Sequence, residues 1–275
     1  MSQSASGAPS LSLVPADVEG AITALLEEFR ENEWFIYEYW PEFAPQVRVM
    51  LADIMTCYPP SRRVRLLDVG CFNGYISFLL ARLGYQVTGT DACDLADRRA
   101  LFETAGIGFF FSNLNEPDPF ESVADASFEV VVMGQIIEHI LNHPLGLMRS
   151  VARVLSPDGV LILTTPNPAT VMNAVRLLLG RLSLWGTREF MEMPKFDQGR
   201  ITSYGDIHYR EYLTSEVCHL LTTAGFRVEQ TRYLGTGSGQ RESLVKRWLK
   251  HNPLVNQLTG TRLFGSSHYF LARRQ

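Results

Sequence analysis

The stretch Leu66-Leu67-Asp68-Val69-Gly70-Cys71-Phe72-Asn73-Gly74 decides how this chain folds. An apolar run ends at an acid and a glycine, and Tyr75 to Leu83 follows with helical character, closed by Gly84. The reading is strand, tight turn, helix. Glycines at such a turn let the backbone come close to a ligand, and the helix start behind them offers unsatisfied N–H groups. A dinucleotide-binding turn reads G-x-G-x-x-G. Here Phe72 and Tyr75 stand where its second and third glycines belong, so that fingerprint fails. The acid that closes the strand suits a cationic ligand group better than a pyrophosphate.

The same alternation continues outward. Gln86–Thr90, Phe109–Phe111, Phe128–Met133 and Val160–Thr165 read as further strands, and Leu95–Thr104 and Leu145–Leu155 as helices, the latter stopped by Pro157-Asp158-Gly159. Near-continuous apolar strands of this kind are buried on both faces, so an α/β fold with a doubly wound, mostly parallel sheet is expected. Phe226–Tyr233 and Ser267–Ala272 supply two last strands, making seven. Ligands bind such sheets at the carboxyl ends of the strands. That directs attention to the 70–74 turn, Asp91, Asn113 and Gln135, each of which follows a strand.

Around this core, residues 1–14 are polar and small and are expected to be disordered. Residues 15–60 read as a helical cap. Val18, Ile22, Leu25, Leu26 and Phe29 share one face, Trp34, Phe35, Tyr37, Tyr39 and Trp40 form an aromatic cluster, Pro41 interrupts, and Val47 to Ile54 resume the period. Residues 167–212 read as an insertion over the active site, with a helix at Ala169–Leu179 and a polar connector at Gly186–His208 that carries Met191, Met193, Lys195, Phe196, Arg200 and Tyr204. A helix follows at Leu213–Ala224, and a basic one at Glu242–Lys250.

Composition narrows the function. The chain has 275 residues, is 46% hydrophobic and 20% charged, and carries a net charge of −4. These values exclude a collagen, a coiled coil and an intrinsically disordered protein. Mild acidity gives no global pull toward nucleic acid or an anionic membrane. Cys57, Cys71, Cys93 and Cys218 are scattered, fit neither a disulfide scaffold nor a zinc site, and are read as reduced thiols of a cytoplasmic protein. No apolar run is long enough for a membrane span and no secretory signal is seen, so stable membrane insertion is not expected.

Five segments in order carry a resemblance: LLDVGCFNG at 66–74, VTGTD at 87–91, FEVVVMGQIIEHI at 128–140, RVLSPDGVLILTTPN at 153–167 and HYREYLTSEVCHLLTTAGF at 208–226. Together they resemble the class I S-adenosylmethionine-dependent methyltransferases, and within these the UbiG/UbiE-type small-molecule enzymes. The resemblance implies a Rossmann-like fold, S-adenosylmethionine as cofactor, and a role for each matching residue. Asp68 would accept a hydrogen bond near the methionine amine. Gly70, Cys71, Asn73 and Gly74 would form the turn past which the cofactor runs. Asp91 would hold the ribose hydroxyls, Asn113 and Leu114 would meet the adenine, and Gln135 would lie beside the methionine part. Plain structural alternatives stand beside these: Asp68 as a helix-dipole partner, Asp91 as an N-cap, Asn113 as a turn residue, Cys71 as a filler.

Glu138 and His139 are adjacent after the fourth strand, and His208 lies in the HYREY segment. They are candidates for the acceptor pocket, with His139 or His208 as general base, since imidazole titrates near neutral pH. Some relatives bind a divalent metal through E-x-x-E-H and a later His. Here Gln135 replaces the first Glu, which makes a metal the less favoured use. The alternative is that Glu138 caps the next helix and His139 packs under the sheet edge. The expected activity is methyl transfer to a small-molecule acceptor, a hydroxyl of a secondary metabolite, a sugar or a quinone-like ring. RNA is the weaker acceptor, and a nicotinamide oxidoreductase or a non-catalytic cofactor-binding module are the other classes. Oligomeric state is left open.

Overall fold

A computed structural model describes residues 16–29, 40–61, 63–93, 96–181, 196–197, 200–201, 207–235 and 262–275. The N-terminal segment 1–14, the aromatic cluster from Trp34 to Tyr39, the connector residues Met191, Met193, Lys195 and Tyr204, and the basic helix Glu242–Lys250 lie outside them, as do the side chains of Trp40, Phe196 and Arg200.

The first strand is β1, Arg65–Val69, whose last four residues are all buried. It leads through the turn at 70–74 into α3, Tyr75–Arg82. In chain order α1 is Ala16–Phe29, α2 Trp40–Cys57, β2 Gln86–Asp91, α4 Ala96–Ala105, β3 Gly108–Phe111 and β4 Phe128–Gly134. A single 3-10 turn, Ile137–His139, precedes α5, Pro144–Val154. Then come β5, Leu155–Pro166, α6, Val171–Leu178, the two-residue strands β6, Phe196–Asp197, and β7, Arg200–Ile201, α7, Thr214–Thr223, β8, Phe226–Leu234, and β9, Ser267–Arg274.

Seven strands form one sheet in the order β3-β2-β1-β4-β5-β9-β8. β9 runs antiparallel to both its neighbours, and every other pairing in the sheet is parallel. The strand order reverses between β1 and β4, so the crevice that such a sheet offers to ligands opens at the carboxyl ends of those two strands.

Each face of the sheet carries its own core. Leu66, Val130, Val132, Val160, Ile162 and Leu271 point to one side, where α1, α2 and α3 cover them with Val18, Ile22, Val47, Leu51, Ile54 and Leu79. Leu67, Val131, Met133, Leu161, Leu163 and Phe270 point to the other, under Leu147 and Val151 of α5 and Val217 and Leu221 of α7. The alternation of side chains along each strand produces both sets from one apolar run.

Two local expectations are corrected. Pro41 does not interrupt a helix: α2 runs from Trp40 to Cys57 through both Pro41 and Pro45. Pro41, in the first turn, loses nothing, because its missing N–H would have had no partner there, whereas Pro45 lies inside the helix and gives up one intrahelical hydrogen bond. The Pro157-Asp158-Gly159 segment does not separate helix from strand. α5 ends at Val154, and β5 starts at Leu155 and absorbs the segment as a bulge, Phe128 pairing with Leu155 but Val130 with Val160. Asp158 takes the left-handed φ of 60° there, and a Cβ on Gly159 would lie 2.8 Å from the Ser156 carbonyl oxygen. This is where a bulge tolerates a small residue.

Candidate active site

The turn after β1 is held in shape by the end of β2. The amides of Gly70 and Cys71 both donate to the Thr90 carbonyl. Gly70, Phe72 and Gly74 adopt left-handed φ values of 70°, 41° and 84°. Phe72 pays a steric cost that a glycine would not, and its ring is half exposed at the mouth of the turn. Asp91, at the end of β2, accepts the Phe72 amide at 2.8 Å on one carboxylate oxygen and the Cys93 amide at 2.8 Å on the other. It is therefore a clamp between two loops and not the N-cap of α4, which starts at Ala96. A carboxylate has about four acceptor sites, so two remain for a pair of hydroxyls.

Arg98 completes the clamp. It is buried, donates to the carbonyls of Phe72 and Cys93, and lies 4.4 Å from the centroid of the Phe109 ring. Nothing in the Arg98-Arg99 pair marks one of them in the sequence as buried. Asp68 is also buried and accepts the Ser77 hydroxyl of α3 at 2.6 Å. Burial raises its carboxyl to about 6, and the Ser77 hydrogen bond pulls the other way. Cys71 is buried, and desolvation pushes its thiol up, away from the range of a nucleophile.

The turn fits a polar, sugar-bearing ligand. Asn73 is buried and its Oδ1 has no hydrogen-bond partner among the described residues. No side chain caps α3, and its first turn holds no acid. Buried acceptors and helix-end donors of this sort are satisfied when a ligand supplies the missing groups.

The second constellation lies at the ends of β4 and β5. Glu138 is fully buried in the 3-10 turn. Its Oε2 accepts the Thr165 hydroxyl at 2.9 Å, while Oε1 has no partner among the described residues. Burial raises the carboxyl to about 7, and the charge of His208 favours its ionised form. The chain returns to it at 207–210: the Tyr209 amide donates to the Glu138 carbonyl at 2.9 Å. His139 Nδ1 lies 2.8 Å from the Ile207 carbonyl, and His208 Nδ1 lies 3.0 Å from Glu211 Oε1. Both acceptors require a proton on Nδ1, which leaves the basic lone pair of each ring on Nε2. The rings meet edge to face with centroids 5.1 Å apart. Glu138, His139 and His208 each offer a ligand atom within 4.8 Å of the others. Glu138 does not cap the next helix, since His143 caps α5 by accepting the Gly146 amide. His208 and Glu211 stand three positions apart, a spacing readable in the sequence; the partnership of Thr165 with Glu138 has no sequence signal.

The remaining residues singled out from the sequence are placed as follows. Asn113 accepts the Asn115 amide at 3.1 Å and donates to Glu116 at 3.1 Å, which is an Asx turn. Leu114 is partly buried against the core that contains Leu67 and Val131. Gln135 has a left-handed φ of 58° and donates through Nε2 to Gln46 of α2 and Thr164 of β5, at 3.1 and 3.2 Å. Gln46 donates in turn to Ser267 of β9 at 2.9 Å.

Residues 20–231 match a family model described as a methyltransferase domain. The chain belongs to the class I S-adenosylmethionine-dependent methyltransferases. The methyltransferase is 29% identical to a ubiquinone biosynthesis O-methyltransferase of a Caulobacter species over 234 residues, 76% of this chain and 88% of that protein. It is 33% identical to a protein of Mycolicibacterium smegmatis named as a probable S-adenosylmethionine-dependent methyltransferase, over 64% of this chain; that match spans only 57% of the relative's length. A methyltransferase structure from Archaeoglobus fulgidus superposes with a TM-score of 0.52 at 16% identity, covering 92% of this chain and 99% of that one. At that identity it supports the Rossmann-like fold alone. The cofactor of the family is S-adenosylmethionine, and the orphaned Asn73 oxygen, the uncapped start of α3 and the spare acceptor capacity of Asp91 fit its amine, its carboxylate and its ribose. No helix among the described residues is long and apolar enough to cross a membrane.

Proposed function

We propose that this methyltransferase moves a methyl group to a hydroxyl oxygen of a small molecule: a secondary metabolite, a sugar or a quinone-like ring. The convergence of Glu138, His139 and His208 after β4, the strand paired with β1, carries this reading. An oxygen acceptor depends on a base more than an amine does, and the two Nδ1 contacts fix the tautomer that puts the basic lone pair of each ring on Nε2. The name of the Caulobacter relative points the same way.

S-adenosylmethionine, when bound, supplies a methyl group already activated on a sulfonium. Asp91, which keeps the two loops together, would hold its ribose, and Asp68 and Asn73 would meet its methionine end. His139 or His208 accepts the hydroxyl proton at Nε2. Glu211 stabilises the positive charge on His208, and the ionised form of Glu138 does the same from the buried side. The chain returns to Glu138 at 207–210, where the Tyr209 amide donates to the Glu138 carbonyl, and this places His208.

Radiolabelled methyl transfer across a panel of catechols, phenols, sugars, amines and RNA tests this. Turnover with a hydroxyl acceptor should fall by roughly 10²–10⁴-fold in His139→Ala or His208→Ala, with binding of the demethylated cofactor unchanged by calorimetry. Full turnover in both variants removes the base assignment, and turnover only with amines or RNA removes the acceptor class.

A second reading has one observation in its favour. A carboxylate and two imidazoles within 4.8 Å match the donor set of a borderline divalent cation. Gln135 in place of a carboxylate weakens it, and its amide is already bound to Gln46 and Thr164. Activity is therefore expected to survive dialysis against a chelator. Loss with the chelator and recovery with zinc or manganese would establish the metal instead.

A further inference from the structure

At the same edge of the sheet, on the far side of Thr165, lies a cavity of about 290 Å³ between the first turn of α7 and strands β8 and β9. Thr165 pairs in register with His268, and His268 with Tyr233. Directly paired residues share a face, so Thr165, His268 and Tyr233 form a row that runs from Glu138 into this cavity.

His268 is the feature that needs an explanation. It is 1% exposed, it lines the cavity, and neither ring nitrogen has a hydrogen-bond partner among the described residues. An unsatisfied buried imidazole is costly unless something else occupies the space it faces. Burial and the charge of Arg262 lower its pKa to about 4, so it is neutral near pH 7 and presents one N–H donor and one acceptor.

Its surroundings are rich in donors. Arg262 brings a guanidinium to the cavity. The loop that carries it is fixed from behind, because the buried Asn167 donates to the Arg262 carbonyl at 2.8 Å and to the Gly265 carbonyl at 2.7 Å. Thr214 Oγ1 and Tyr233 Oη lie 2.9 Å apart. Whichever donates, one hydroxyl proton between them is left for a ligand. Thr214 and Ser215 are the first two residues of a ten-residue helix, whose early amides have no partner inside the helix and whose dipole is positive at that end. No carboxylate lines the cavity among the described residues. The nearby Glu216 is taken up by the Leu213 amide and by Arg210. Ala169 and Leu213 supply apolar wall.

We propose that this cavity is an anion-binding site for an organic ligand, taking its carboxylate or phosphate group on Arg262, the start of α7 and the buried imidazole of His268. A cation is disfavoured by Arg262 and the helix end, and a wholly apolar ligand would leave His268 unsatisfied. The site is a neighbour of the acid and imidazoles assigned to methyl transfer but uses none of them, so it does not depend on that assignment.

Calorimetry on the full chain with benzoate, phenyl phosphate and the neutral control benzyl alcohol tests this, alongside nuclear magnetic resonance of histidine-labelled protein to follow the His268 ring. One of the anions should bind with a Kd between about 10 μM and 1 mM and shift the His268 signal, while benzyl alcohol does neither. Comparing benzoate with phenyl phosphate identifies which group the site prefers. Arg262→Gln, a change at an exposed side chain that leaves the core intact, should weaken the anion at least about tenfold. His268→Gln should weaken it too, with folding checked by circular dichroism. No binding of either anion, equal binding of benzyl alcohol, or binding indifferent to Arg262→Gln overturns the proposal.

Discussion

Asp68 shows how a single buried side chain sets a pH response. Desolvation raises its carboxyl from the unfolded value of 3.8 to about 6 in the fold. A raised acid binds its proton more tightly folded than unfolded, so its contribution to stability is favourable at low pH and is lost as pH rises from about 4 to 6. Asp68→Asn keeps an acceptor for Ser77 and removes the titration. Its stability relative to the parent should therefore improve by up to about 3 kcal/mol between pH 4 and 7, measured by urea unfolding at each pH. A difference that does not change with pH would show that Asp68 is not buried as a charge. The sequence placed Asp68, Asp91 and the glycines at a ligand edge because their position after a strand is a local property. It did not show that Asp91 holds the Phe72 and Cys93 amides or that Arg98 locks the same two loops. Those contacts join residues up to 26 positions apart, and side-chain chemistry alone does not choose among partners at that range.

Among the elements, α3 depends most visibly on one residue. Gly74 precedes it with φ 84°, and a Cβ there would lie 2.4 Å from Cε1 of the buried Phe102 ring. Phe102 is wedged edge-on against Phe78 and Phe109, so it has little room to yield. Gly74→Ala combines a left-handed alanine with overpacking and should cost about 2–4 kcal/mol, seen as a lower Tm. Binding of the demethylated cofactor should weaken as well, since α3 would be displaced from the turn. An unchanged Tm would mean that α4 moves away freely. Strand and helix identities were readable because each core-facing run is long and periodic. The bulge in β5 was not, because Pro157-Asp158-Gly159 makes an equally good turn. The pairing of Val130 with Val160 decides between the two.

At the scale of the molecule, α1 and α2 are part of the core. Val18, Ile22, Val47, Met50, Leu51 and Ile54 are all at or below 2% exposure and pack in the cluster that covers one face of the sheet. Each such side chain is worth about 1.5–3 kcal/mol of burial, and six of them together rival the whole stability of an ordinary domain. Gln46 also ties α2 to β9 and to Gln135. Deleting residues 1–57 should give a chain that binds hydrophobic dyes and fails to unfold cooperatively in urea. A cooperative transition in the truncated chain would show that the sheet holds without its cover.

Hydrophobic period and turn chemistry, both short-range, determined the order of strands and helices, the doubly wound sheet and the edge at which ligands bind. The sequence named Glu138, His139 and His208 as one candidate group, but only tertiary structure supplied the chain return across roughly 70 residues that sets their ligand atoms within 4.8 Å. The same holds for the imidazole of His268, which sits in a strand that reads as ordinary core and whose ring nitrogens have no hydrogen-bond partner among the described residues. The reason is physical: burial and hydrogen-bond partnership depend on what else occupies the surrounding volume, and that is settled by chain return and packing, not by neighbours in sequence.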